Sequence, residues 1–185
     1  MDLNRIKSIY HKVRFASIID GCKRAEYLRK HHLLDHIGNN CMFQSRNFPM
    51  DPQLVRLHDN VTISAKVTFC THDAIRHVLY FYDKGNYVPH QGCIEIEDNV
   101  FIGLGSIIMP DVHIGANSII AAGSLVLNDV PSGTIVGGVP AKKIGTFNEL
   151  HKKRVQEGEK LGAMSYHELT NYTWEQFHNR IKNAK

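Results

Sequence analysis

Residues 96–131 read in sixes: IEDNVF (96–101), IGLGSI (102–107), IMPDVH (108–113), IGANSI (114–119), IAAGSL (120–125) and VLNDVP (126–131). Ile or Val opens every block, at 96, 102, 108, 114, 120 and 126. The fifth place holds Val or Ser: Val100, Ser106, Val112, Ser118, Ser124 and Val130. The second place is often small, as at Gly103, Gly115 and Ala121. A six-residue apolar period fits neither the 3.6 period of a helix nor the 2.0 period of a long half-buried strand. It fits short strands joined by turns and stacked as repeats. With three blocks to a turn, strands on each face stack about 4.8 Å apart and the opening Ile and Val point inward. Burying each contributes about 1.5–3 kcal/mol. A small second residue relieves crowding at the corner.

Outward from this stretch, the sixes continue with interruptions. They begin at Ile37 as IGNNCM and FQSRNF, break from Pro49 to Arg56, and resume as LHDNVT, ISAKVT and FCTHDA over 57–74. The run IRHVLYFYDKGNYVPHQG, 75–92, lacks the period and reads as a loop thrown out of the coil. Loops of this length in a compact domain are commonly functional. IVGGVPAKKIG, 135–145, is a turn-rich exit. The expected organisation is an N-terminal helical cap over 1–36, the coil over 37–145 with its loop at 74–92, and C-terminal helices over 146–185.

In the cap, Leu3, Ile6, Ile9 (or Tyr10) and Val13 share helical spacing, and Asp20 is placed to cap a second helix through about Lys30. Such helices cover the open end of the coil, where unpaired strand edges invite aggregation. After the coil, Thr146–Glu149, Ser165–Glu168 and Thr173–Gln176 carry the S/T-x-x-E/Q start signal. They predict a helix over about 146–160, closed near Gly158 or Gly162, and two shorter helices. Trp174, Phe177 and Ile181 lie on one face of the last.

The 185 residues suffice for one domain with modest appendages. No apolar run approaches 18 residues, and Met1–Arg14 is charged throughout, so the expectation is a cytoplasmic protein without a membrane span. Cys22, Cys41, Cys70 and Cys93 form no CxxC pair and point to reduced thiols. The net charge of +4 is mild, and no basic run interleaved with aromatics suggests nucleic-acid binding.

His72, in Thr71-His72-Asp73, stands where the last regular block gives way to the loop. There a side chain can leave the coil while its backbone stays on a rigid rung. Histidine is the usual general base near neutral pH. His77 and His90, in the same loop, are the weaker candidates among twelve histidines.

The sixes, His72 and the exit Gly137-Gly138-Val139-Pro140-Ala141-Lys142 resemble the hexapeptide-repeat acetyltransferases. The likeness is strongest to the maltose and galactoside O-acetyltransferases and the capsular-polysaccharide O-acetyltransferases. Asp51-Pro52-Gln53-Leu54, Asp59-Asn60-Val61-Thr62-Ile63 and Val67-Thr68-Phe69-Cys70-Thr71-His72-Asp73 are particularly similar to the last group. The resemblance spans about residues 37–145. It implies a mainly β fold: a left-handed parallel β-helix of hexapeptide repeats with N- and C-terminal helices.

It also implies direct acetyl transfer from acetyl-CoA to a sugar or polysaccharide hydroxyl, with His72 as base. A backbone N–H or the Ser106 hydroxyl would serve the oxyanion. Asp73 or a backbone carbonyl would orient the imidazole. By position, coenzyme A would lie along Gly103, Ser106, Ala121 and Ala122, with Lys142 and Lys143 near its phosphates. Leu127-Asn128 departs from the Thr-Lys of many relatives, and Phe101 takes the place of a shielding aromatic. The acceptor would meet Gln44, Asn47, Asp73, Tyr80 and Tyr82, with Asp83 and Tyr87 nearby. The family assembles as homotrimers with sites shared between subunits, and no metal is expected.

Other readings of the same residues are an N-acetyltransferase of an amino sugar, an antibiotic acetyltransferase, a non-enzymatic scaffold, and a gamma-class carbonic anhydrase-like enzyme. The last would draw zinc ligands from His72, His77 and either His90 or His58.

Overall fold

The computed structural model describes residues 3–183. The chain opens with α1 (Leu3–Ser17) and α2 (Gly21–Lys30). Asp20 caps α2 as its sequence position predicts: its Oδ1 accepts from the Lys23 N–H at 2.8 Å. The side chain of Leu3 lies outside the described residues. Ile6, Ile9, Tyr10 and Val13 are exposed, so this spacing marks the outer face of α1. The residue that ties α1 down is Phe15, fully buried edge-on against Phe43 and Phe48. Arg24 of α2 is also buried, and its guanidinium donates to the carbonyls of Ile18, Ile19, Phe43 and Ser45. Satisfied donors let a cation stand inside without an acidic partner.

The strands that follow are β1 (His36–Ile37), β2 (Met42–Phe43), β3 (Val55–Leu57), β4 (Thr62–Ile63) and β5 (Thr68–Phe69). Helix α3 (Ile75–Asp83) intervenes, and then come β6 (Ile94–Ile96), β7 (Phe101–Ile102), β8 (Ile107–Ile108), β9 (Val112–Ile114), β10 (Ile119–Ile120) and β11 (Leu125–Val126). Strands β12 (Thr134–Gly137) and β13 (Lys142–Thr146) close the series. They form three sheets, in the orders β1-β3-β6-β9, β13-β12-β10-β7-β4-β2 and β11-β8-β5. All pairings are parallel except β12 with β13. From β3 to β11 the chain visits the three sheets in rotation.

The register measures the repeat. Ile94 pairs with Val112, Phe101 with Ile119 and Ile107 with Leu125, each eighteen residues on, so three sixes make one turn. Thr62 pairs with Phe101, thirty-nine residues on, because the excursion after β5 adds twenty-one. Met42 pairs with Thr62, twenty residues on, because the Pro49 break adds two and contains a short 3-10 turn at Pro52–Leu54. The opening residues Ile96, Ile102, Ile108, Ile114, Ile120 and Val126 are all buried. So are the six fifth-place residues. The serines among them turn their hydroxyls onto carbonyls: Ser106 and Ser124 onto Ala121, Ser118 onto Pro131. Gly103 has no room for a Cβ, which would stand 2.5 Å from the Ala122 nitrogen one turn above. At another corner Asn40, Asn60, Asn99 and Asn117 take positive φ and bond in a ladder of side-chain amides at 3.0–3.1 Å. Asparagine tolerates that conformation better than most residues.

Two expectations change. The stretch 75–92 is not aperiodic coil throughout, since α3 occupies its first half. Asp73 starts that helix by accepting from the Ile75 N–H at 2.9 Å. The turn-rich exit is a β12–β13 hairpin.

Residues Asn148–Lys185 form a separate compact unit. Among the described residues the helices at this end are two, α4 (Phe147–Leu161) and α5 (Tyr166–Asn183), rather than three. Ser165 and Glu168 form the reciprocal cap: Ser165 Oγ accepts from the Glu168 N–H, and Glu168 Oε2 from the Ser165 N–H. Thr173 starts nothing. It stands inside α5 with its hydroxyl donating to the Leu169 carbonyl, the back-bonding open to any mid-helix threonine. Gly158 is inside α4 and Gly162 just beyond it. Among the described residues no helix is long and apolar enough to cross a membrane.

Candidate active site

The site is assembled where β5 leaves the coil. The Cys70 N–H donates to the Ile108 carbonyl, so the chain is still held to the next turn two residues before His72. The excursion then returns beside itself. Gly92 N–H donates to the Thr71 carbonyl, Asp73 N–H to the His90 carbonyl, and His72 bridges Gln91 in antiparallel fashion. His72 therefore stands on a neck fixed from both sides.

Its imidazole Nδ1 lies 2.5 Å from Asp51 Oδ2. Asp51 is set in turn by Thr71, which is fully buried. The Thr71 hydroxyl donates to the same carboxylate oxygen at 2.9 Å and accepts from the Asp51 N–H at 3.1 Å. Burial by itself would raise the Asp51 pKa. Hydrogen bonds from His72 and Thr71, with the charges of His72 and Lys12, outweigh it and hold the carboxyl below its ordinary value. A carboxylate accepts a hydrogen bond from Nδ1–H and so leaves Nε2 as the unprotonated nitrogen, the tautomer a general base needs. The His72 and Asp51 side chains are 36% and 32% exposed, so the pair is open to a ligand.

In the sequence Asp51 opens the Asp51-Pro52-Gln53-Leu54 stretch and carries no signal of a role. It stands 21 residues before His72, across a break in the sixes, and only the Asp-Pro step marks a turn there. Asp73, the sequence candidate for orienting the ring, is engaged by the first turn of α3. Adjacent residues of an extended segment point apart, which is why the partner comes from another turn.

The residues expected along coenzyme A divide. Ser106 is inside the coil, wholly buried and bonded to Ala121 and Ser124, so neither cofactor nor oxyanion reaches its hydroxyl. Its fifth-place position, shared with inward valines, is the reason. Gly103 is buried by close stacking on Ala122. Ala121 is half-buried and Ala122 exposed. Lys142 and Lys143 are exposed and line a pocket of about 260 Å³ with Leu127, Asn128 and Asp129. Leu125 follows Ile107, and Ile107 follows Thr68, in one sheet. The pocket strand thus lies two rungs, roughly 10 Å, along the coil from the strand that leads to His72.

On the acceptor side, Asn47 is held to β5 through the Thr68 hydroxyl at 3.2 Å, and Gln44 is exposed beside Met42. Tyr80 and Tyr82 are exposed on α3. Tyr80 lines a 340 Å³ pocket with Arg76, His77, Phe81 and Tyr87, while Tyr87 donates to Asp83 at 2.7 Å. Phe101 is partly exposed on the outside of β7. The alternative histidines are scattered: His58 pairs with Glu95, His90 with Asp111, and His77 sits on α3. Among the described residues no three His, Cys, Asp or Glu gather to hold a metal.

The bacterial transferase hexapeptide family, in a form with six repeats, matches residues 93–128. Protein CapG of Staphylococcus aureus is 38% identical over 144 residues, covering 76% of this chain and 83% of CapG. Galactoside O-acetyltransferase of Escherichia coli is 36% identical over 118 residues, 63% of this chain, and the match spans 56% of that longer protein. A putative acetyltransferase of Schizosaccharomyces pombe, 36% identical, is matched over 46% of its length. Among solved structures, a hexapeptide-repeat acetyltransferase of Vibrio cholerae complexed with acetyl coenzyme A superposes with a TM-score of 0.60 at 25% identity, over 77% of this chain and 86% of that one. A galactoside acetyltransferase in complex with coenzyme A also gives 0.60 at 25% identity, over 80% and 82%. The chain belongs to the hexapeptide-repeat acetyltransferase family, and its enzyme class is acyltransferase.

Proposed function

We propose that this chain transfers the acetyl group of acetyl-CoA to a hydroxyl of a sugar or polysaccharide, with His72 as the general base. The observation that carries the reading is the Asp51–His72 pair on the fixed neck of the excursion, with the His72 side chain 36% exposed. The relatives named for O-acetyl transfer, and those solved with acetyl-CoA or coenzyme A, supply the donor and the reaction class.

In the reaction, Nε2 takes the acceptor proton as the oxygen attacks the thioester carbonyl. Asp51 balances the imidazolium that results. A backbone N–H meets the oxyanion, Ser106 being enclosed. The C–S bond then breaks, the thiolate leaves, and the imidazolium returns its proton. Lys142 and Lys143, at their exposed pocket, attract the donor's phosphates, and Ala122 borders the arm. Gln44, Asn47 and the α3 aromatics border the acceptor. The three sheets close into a left-handed prism, and three chains assemble so that each site is shared. Support for assembly comes from the outward faces of β7 and β8, where Phe101 and Ile107 are each 41% exposed, beside Leu104 at 52%. The enzyme works in the cytoplasm.

A screen of sugars, amino sugars and sugar nucleotides, reading release of the coenzyme thiol, tests the reaction. His72→Ala lowers turnover on the best acceptor by about 10²–10⁴-fold with an unchanged melting curve. Near-normal turnover in that variant removes His72 from the mechanism. Light scattering tests assembly: the expected mass is about three times 21.0 kDa, and a monomer refutes the shared site.

A further inference from the structure

The charge of this protein is unevenly placed. Residues 1–36 hold Arg5, Lys7, Lys12, Arg14, Lys23, Arg24, Arg29 and Lys30 against Asp2, Asp20, Glu26 and Asp35. Eight cations less four anions is +4, the net charge of the whole chain, so residues 37–185 are neutral overall. Between α1 and α2 runs a groove of about 710 Å³, lined by Arg14, Lys23, Arg29, Lys30, Tyr27 and a single acid, Glu26. Lys23, Glu26 and Arg29 also line an adjoining pocket of about 440 Å³ that reaches Asn40 and Cys41 on the first turn of the coil. Among the described residues none of the four groove cations has a carboxylate within ion-pair distance. Arg29 spends its guanidinium on the Ile37 and Gly38 carbonyls, which position the charge without cancelling it. On α1 the basic surface extends to Lys12, whose charge is felt by Asp51 in the candidate site.

We infer that the α1–α2 groove is a docking site for an anionic polysaccharide, holding a chain whose hydroxyl reacts at His72. This rests on the sugar-acetylating reading above and narrows its acceptor to polymers bearing carboxylate or phosphate groups. Four cations without ion-pair partners, against one acid in the groove, attract a polyanion and raise its local concentration. Tethering one part of a polymer at the cap makes delivery of another part to the site intramolecular. Two features favour a glycan over nucleic acid. Glu26 in the groove wall repels a dense phosphate backbone but accepts hydrogen bonds from sugar hydroxyls. Tyr27, the one aromatic ring of the groove, has its hydroxyl engaged with His11 at 2.8 Å and offers no row of stacking platforms.

The test is equilibrium binding of fluorescein-labelled polygalacturonate, dextran of matched length and a 20-mer DNA duplex to the full chain and to Arg14→Gln/Lys23→Gln/Lys30→Gln. Circular dichroism and melting verify folding, and Lys23→Arg/Lys30→Arg serves as the charge-keeping variant. The wild type binds polygalacturonate and not dextran, and raising salt to about 0.5 M weakens binding by about tenfold or more. The triple Gln variant loses about tenfold at low salt, while the Arg variant retains affinity. With an acidic polymer as acceptor, its KM rises by a similar factor and turnover of a short neutral sugar is unchanged. No polygalacturonate binding by the wild type, equal binding by the triple variant, or tighter binding of the duplex each overturns the inference. Binding without any acetyl transfer leaves the groove standing and refutes the reaction instead.

Discussion

The isoleucines of the coil and the apolar residues of α3 have opposite fates. Ile96, Ile102, Ile108, Ile114 and Ile120 are wholly enclosed, whereas Ile75, Val78, Leu79, Tyr80, Phe81 and Tyr82 are all exposed and α3 buries no residue. What separates these apolar side chains is return. Each coil isoleucine is covered because the chain comes back sixteen or eighteen residues later with an Ile or Val on the same face. The excursion interrupts the count once and is never overlaid. The proposed catalytic pair stands at that boundary, with His72 on the neck and Asp51 in the smaller break of the turn before. A repeat supplies rigidity, and its interruptions supply side chains free to act.

The contrast breaks most visibly with one charge placed on each side. Ile108 is sealed between Phe69 and Val126 on adjacent turns. Ile108→Asp buries an unpaired carboxylate, a cost comparable with a whole domain stability of about 5–15 kcal/mol. The expected result is no cooperative melting transition; an unchanged melting curve contradicts the inward assignment.

At the boundary the effect is on rate. Asp51→Asn lowers turnover by about 10²-fold, less than a fully enclosed triad loses, because water can re-pair an imidazole this exposed. Asp51 is held below the ordinary carboxyl pKa, so its stabilising contribution is complete above the unfolded value of about 3.9 and is lost only as pH falls through its lower folded value. Asp51→Asn takes away the carboxylate that holds Nδ1, so the expected loss is in turnover, with the melting curve retained. Unchanged turnover in that variant removes Asp51 from the site.

Within the coil, Gly103→Ala sharpens the measure of how closely turns approach. The added methyl meets the Ala122 nitrogen at 2.5 Å, and overpacking of this kind costs about 1–3 kcal/mol in denaturant titrations. A neutral result means the corner has slack. The smallest change is expected on α3, where Ile75→Asp shifts stability by less than about 0.5 kcal/mol because the side chain is 57% exposed. A large loss there, with a fall in assembled mass, shows that a neighbouring copy covers the helix.

Legibility followed the same divide. The six-residue period announced the inward residues and both interruptions, because each depends on spacing along the chain alone. Asp20 and Ser165 were readable as caps, since a cap acts within three residues. Thr173 carried the same pattern and misled, because a threonine inside a helix satisfies its hydroxyl on the preceding turn. Ser106 was assigned to the cofactor on resemblance, although its place in the block beside inward valines already argued for burial.

By itself the sequence determined that the chain stacks in steps of six, and that a histidine stands where stacking stops. Those are properties of order along one dimension, and a strict repeat maps order directly onto height in the stack. Only the tertiary structure decided that Asp51 holds His72, that Ser106 is enclosed and Asp73 engaged elsewhere, and that unpaired cations of two helices share one groove. Each depends on which residues become neighbours after the chain has turned upon itself, and irregular segments carry no period from which that can be counted.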